Sequence, residues 1–107
     1  MRHLGVLRGG GVLECKGESL GRAEYELDGY LVRPGEIVAS GEIHMEAVLL
    51  AEAFGRNGLV LRTDDGLILS IRFSGKRLSP ASTVAHADVR DGLPEETTWR
   101  RHGRPGD

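Results

Sequence analysis

The chain has little of what usually announces a chemistry. Aromatic residues make up 5% of its 107 positions, and it has one cysteine, one tryptophan and four prolines. A single Cys15 cannot form an internal disulfide, which suits a reducing compartment. No apolar run approaches the roughly 18–20 residues of a membrane-spanning helix. The longest, Ala47 to Ala51, has five. The start, Met1-Arg2-His3-Leu4-Gly5-Val6-Leu7-Arg8, has charge. It lacks the apolar stretch of roughly 7–15 residues that follows in a secretory signal. These absences make a cytoplasmic location the expectation, with no membrane partner.

Catalytic patterns are missing too. His3, His44, His86 and His102 lie far apart, and none stands at a short metal-ligand spacing from another or from Cys15. His44 and His86 can meet only across strands. No Gly-x-Ser-x-Gly elbow surrounds Ser70, Ser74, Ser79 or Ser82. Ser74-Gly75-Lys76-Arg77 has a Gly-Lys pair after a strand, but it lacks the upstream glycine, the Ser/Thr after lysine and the following helix of a phosphate loop. It reads as a solvated loop. Asp64-Asp65-Gly66 is turn chemistry before it is an acid–base pair. The paired arginines and Asp/Asn-x-Ser-x-x-Gly signature of small cyclic-dinucleotide-binding barrels are absent as a set. The chain is therefore expected to be no enzyme, with no catalytic residue, metal or cofactor.

What is present describes a small folded domain. Thirty-nine per cent of residues are hydrophobic, with 16 acids against 14 Lys and Arg. That is too apolar and too evenly charged for disorder, and too short for two ordinary domains. Sixteen glycines divide the chain into short periodic segments, the signature of an antiparallel β barrel or sandwich. Residues 1–90 read as one β-rich domain. Residues 91–107 read as a polar, mobile tail, pinned at most near Trp99.

Along the chain, Gly9-Gly10-Gly11 separates a short candidate strand, Leu4–Leu7, from Val12–Lys16, where Leu13 and Cys15 share a face. Gly17-Glu18-Ser19 reads as a turn. Arg22 to Asp28 alternates strictly, with Ala23, Tyr25 and Leu27 inward. Gly29 reads as a bulge or bend before Tyr30-Leu31-Val32, letting a long strand curl. Arg33-Pro34-Gly35-Glu36 is a turn with glycine at the positive-φ position, and a strand from Glu36 to His44 returns. A short helix spans about residues 46–54, rich in Ala, Leu and Glu. Met45, Val48, Leu49 and Glu52 or Ala53 form its stripe, and Gly55 is its cap. Leu59–Thr63 and Leu67–Phe73 flank Asp64-Asp65-Gly66. Only a three-residue loop puts Leu59, Leu61, Leu69 and Ile71 on one face, with Gly66 in the left-handed position. Val84–Val89 is a last strand. Over residues 12–73 the element order resembles that of the OB-fold barrel, whose helix joins its third and fourth strands.

Two functional expectations follow. The first is a non-catalytic binding or protein-interaction module; the alternative is an OB-like ligand- or nucleic-acid-binding barrel. Nucleic acid is the weaker, because Tyr25 and Phe73 point inward and the hairpin loops carry Glu18 and Asp64-Asp65, which repel phosphate. Charge is asymmetric. Residues 10–54 hold nine acids against three bases, a net of −6; residues 55–90 hold six bases against three acids, a net of +3. The candidate surface is Arg56, Arg62, Arg72, Lys76 and Arg77, with Arg62 and Arg72 on the outer face of the 59–73 hairpin. Arginine suits two-pronged bonding to carboxylate or phosphate. This surface would dock an acidic protein surface or the chain's own acidic half. The plainer alternative is that the two halves complement one another on folding.

The hairpin gives the first test. Gly66→Val is expected to destabilise by about 1 kcal/mol or more, because a β-branched residue tolerates positive φ poorly. An unchanged urea midpoint would refute the three-residue loop.

Overall fold

Alternating segments can hide their apolar faces only by closing on one another, and in the computed structural model they do. It describes residues 1–102, with side chains as far as Trp99. The strands are β1 (Arg2–Cys15), β2 (Glu18–Arg33), β3 (Glu36–His44), β4 (Leu59–Thr63), β5 (Ile68–Phe73) and β6 (Val84–Asp91). All pair antiparallel in one sheet, in the ring order β1-β2-β3-β6-β5-β4, and β4 pairs back onto β1. Two helical segments accompany it, α1 (Ala47–Ala53) after β3 and α2 (Glu96–His102) after β6.

The glycine triplet does not separate two strands. β1 runs through it, because Gly11 must be side-chain-free for β4 to approach: a Cβ there would lie 2.5 Å from the Arg62 carbonyl oxygen. The following turn is Lys16-Gly17 rather than Gly17-Glu18-Ser19. Cys15 faces Glu18 directly, and both turn residues have positive φ, 51° and 87°. Those angles define a two-residue hairpin loop with a primed turn, whose twist matches that of the strands.

The later turns follow the expected chemistry. Gly35 has φ +77° and Gly66 +100°. Leu61 faces Leu69, Leu59 faces Ile71, and the Thr63 N–H donates to the Leu67 carbonyl at 2.9 Å. Leu59, Leu61, Leu69 and Ile71 are buried while Arg62 and Arg72 are exposed.

α1 is where expected, and Leu49 and Ala53 of its expected stripe lie against or in the core, but Leu50 is buried in place of Val48. Leu50 and Ala53 are buried, whereas Val48 is 70% exposed. Met45 is also buried, but it lies between β3 and α1, before the helix, with its N–H on the Thr83 carbonyl. Counting the stripe from Met45 therefore starts it one phase too early. Leu49 rests on Gly21, where a Cβ would come 2.6 Å from Leu49 Cδ1.

Residues 91–102 are part of the fold, and the pin is the Trp99 that the sequence offered. β6 reaches Asp91 and α2 buries Trp99 completely, with its indole N–H donating to the Pro94 carbonyl at 3.1 Å. Arg2 and Glu96 form an ion pair at the start of α2. The physical cause is strand length. β1 and β2 have 14 and 16 residues, but β4 covers only Gly11–Cys15 of β1. The overhang leaves an apolar inner surface that a tryptophan can fill. Gly29 serves this contact, and the extra residue of the irregularity beside it lies on β1 rather than at Gly29 itself. It pairs in register with Gly5 and Ala39, and a Cβ on it would lie 2.3 Å from the Trp99 ring. The nearby register shifts lie on β1 between His3 and Gly5, directly opposite Gly29 and Tyr30, and on β2 between Leu31 and Arg33. The rest of the expected tail, residues 103–107, lies outside the described residues.

Gly29 and Trp99 should therefore be coupled. Trp99→Ala is expected to cost about 3–5 kcal/mol, and Gly29→Ala about 1–3 kcal/mol by overpacking. In the Trp99→Ala background the Gly29→Ala change should become nearly neutral, as contacting sites are non-additive. Additive urea-unfolding energies in that cycle would remove the contact from the account.

Candidate functional site

The interior of the ring is filled. Leu13, Leu27, Ile43, Leu61, Leu69 and Ala87 are completely buried, with Cys15, Tyr25 and Phe73 among them in the core. Cys15 donates its Sγ hydrogen to the Asn57 carbonyl at 3.3 Å, as a core thiol should find a partner. Chemistry is left to the outer face and the rims.

Most outward charges on β1, β2 and β4 are already met across strands. Arg8 Nε is 3.1 Å from Glu26, His3 Nε2 is 3.0 Å from Asp28, and Arg62 reaches Glu14 at 3.3 Å. Arg22 holds Asp64 with two bonds of 2.7 and 2.8 Å, laid over Gly10. Side-chain-free Gly10 leaves the crossing open, since a Cβ there would lie 2.8 Å from Arg22 Nη2. Hydrogen bonding from Arg22, more than its charge alone, holds the Asp64 carboxyl below its ordinary range and raises the Arg22 pKa in turn. The Arg62–Glu14 and Arg56–Glu52 pairs join the base-rich half to the acid-rich half.

The five expected cations are consequently divided. Arg62 is held by Glu14, and its neighbour on β5 is Ile68. Arg72 lies four residues further along β5, about 13 Å away at strand spacing. Arg56 is engaged by Glu52 through both the carbonyl and the carboxylate. Arg72 stands across from Asp88 without an ion pair, and Lys76 and Arg77 are exposed in the loop after β5, also without one among the described residues. The hairpin alone does not reveal β1, and with it Glu14, as the other neighbour of Arg62.

Arg56, Lys76 and Arg77 do share one end of the sheet, joined there by Lys16. Cys15 pairs with Leu59 and Leu59 with Ile71, so the β1–β2 turn, the α1–β4 connection and the β5–β6 loop all leave from that end. Lys16 packs its stem over Gly58, and with Arg56, Asn57, Cys15 and Glu18 it lines an open cleft of about 430 Å³. Phe54 stacks on Phe73 at 5.7 Å and lies beneath Gly75. Lys16 is the only non-glycine with positive φ among the described residues.

At the same end the structure forms a pair that the spacing did not reveal. Ser74 Oγ lies 2.7 Å from His86 Nδ1, and the Ser74 N–H donates to the His86 carbonyl at 2.9 Å. His86 faces outward on β6, opposite Glu42 on β3, whose carboxylate lies 3.3 Å from His44 Nε2. His44 itself pairs with Val84, so the two histidines are diagonal neighbours rather than partners. Among the described residues no three His, Cys, Asp or Glu side chains form a set that could hold a metal ion. Nor is any described helix long and apolar enough to cross a membrane. Comparisons with protein families, curated proteins and solved structures find no match to this chain.

The Arg22–Asp64 bridge has a definite pH signature. Because the folded carboxyl titrates below its unfolded value, its stabilisation is present above the unfolded pKa and is lost as pH falls through the folded one. Arg22→Ala should raise the Asp64 midpoint in a carboxyl-carbon NMR titration. An unmoved midpoint would show that the bridge does not persist in solution.

Proposed function

We propose that the chain is a non-catalytic interaction module, a small β barrel of OB-like order with a sixth strand between β5 and β3. Its basic end takes an acidic partner. One observation carries this reading: where most outward charges are paired, Lys76 and Arg77 stand exposed and unpaired on the same end as Lys16 and Arg56. No partner among the described residues competes for their donors, so an incoming carboxylate or phosphate finds both cations free.

Lys16 supports the same end. A bulky side chain in the left-handed region costs of order 1 kcal/mol, and Asn, Asp or Gly serve a primed turn better. A lysine there is explained by a use for its ammonium group. The filled interior argues against a ligand held inside. The β4–β5 turn and the β1–β2 turn do not flank a common groove: Asp64 binds the Gly10 carbonyl, whereas Lys16 follows Cys15 at the far end of β1. That placement favours a protein partner over a nucleic-acid strand.

Binding of a fluorescent polyglutamate peptide at low salt tests the reading. Lys76→Glu with Arg77→Glu should abolish binding with the thermal midpoint unchanged, while Arg62→Ala, removing a cation already held by Glu14, should leave it intact. Equal binding by the wild type and the Lys76/Arg77 variant would overturn the assignment. Sedimentation reports whether the acidic partner is a second copy.

A further inference from the structure

We propose that Ser74-Gly75-Lys76-Arg77, together with His86, forms a binding site for a phosphoryl group. The inference rests on the reading that this end receives anions, and it narrows the anion. The segment lacks the helix and flanking residues of a nucleotide-binding loop, so the site is built differently.

The loop presents several donors at once. Ser74 is anchored by its N–H on the His86 carbonyl, and its hydroxyl sits 2.7 Å from His86 Nδ1. Beyond it, the N–H groups of Gly75, Lys76 and Arg77 have no protein acceptor among the described residues. Gly75 has φ +100°, and the space where its Cβ would be is open except for Phe54 Cζ at 4.0 Å. These N–H groups are therefore free to donate to an anion that reaches the loop. Lys76 and Arg77 are exposed and unpaired, so they can supply the counter-charge.

A carboxylate has two oxygens, whereas a phosphoryl group has three acceptor oxygens to share among backbone N–H, hydroxyl or imidazole, and cation. The acids nearby set the direction of approach. Glu42 faces His86 across β3–β6 and Asp88 faces Arg72 across β5–β6, both on the strand side. The loop side therefore receives the anion.

Amide-detected NMR on the full chain tests this, with inorganic phosphate, a phosphoserine peptide, its unphosphorylated form and polyglutamate at constant ionic strength. Phosphate should give saturable shifts confined to residues 74–77 and His86. Ser74→Ala and His86→Ala should each weaken binding about fivefold to tenfold, the loss of one hydrogen bond. Lys76→Ala with Arg77→Ala, both on the surface, should abolish it without disturbing the rest of the spectrum. A phosphoserine peptide that binds more tightly than inorganic phosphate identifies a phosphorylated protein as the source, and the reverse order identifies the free ion. If polyglutamate binds while phosphate gives no localised shift, the phosphoryl site is wrong and the basic end stands. If neither binds, both fall.

Discussion

The pairing of β1 with β4 is the contact on which the rest of the molecule depends. Over Gly11–Cys15, β1 bonds to β2 on one edge and β4 on the other, and this converts a row of strands into a ring. The approach is so close that Gly11 has no room for a side chain, and a similar constraint holds at Gly41, whose Cβ would collide with the Glu26 carbonyl oxygen. Once closed, the inward alternation of every strand meets in one interior, and burial of that apolar surface is the main stabilising term. Closure also creates the overhang of β1 and β2. An open strand edge with an apolar face is an aggregation hazard, and the last helix with Trp99 covers it.

Closure also decides the electrostatics. Outer positions on β1, β2 and β4 carry charges of both signs, and the ring brings opposite ones within reach, Arg8 directly across from Glu26 and Arg62 diagonal to Glu14. Such exposed pairs contribute about 0–1 kcal/mol each, so they favour one register more than they add stability. The pattern runs out past Phe73, where the chain leaves the sheet. Lys76 and Arg77 have no strand opposite them and so keep their charge for solvent or for a partner.

What could be read from the sequence was what is local. Alternation from Arg22 to Asp28 and the turn chemistry of Pro34-Gly35 and Asp64-Asp65-Gly66 fixed strands and register, because each depends on neighbours a few residues away. The glycines misled, since a side-chain-free residue looks the same whether it turns a chain or admits another strand. Gly11 and Gly29 admit Arg62 and Trp99, from 51 and 70 residues away along the chain. Trp99 stood out as a point where the tail could be pinned, but no local pattern shows the gap it fills. Of the basic surface, residue types were legible but groupings were not. Arg62 was separated from the others by Glu14, and Ser74 was joined to His86 across a long connection whose register no short turn sets.

The central claim is that the sheet closes through β1 and β4 and leaves only the outside for function. Leu13 and Leu61 face each other as a pair whose α-hydrogens approach closely, since the neighbouring Gly10 carbonyl is the one that accepts from Asp64. The most direct measurement is a nuclear Overhauser contact between those α-hydrogens, together with exchange rates for the Val12 and Arg62 amides. A strong contact and slow exchange at both amides are the predicted result. Fast exchange of Arg62 with no contact between Leu13 and Leu61 would mean an open sheet, and the account would fail.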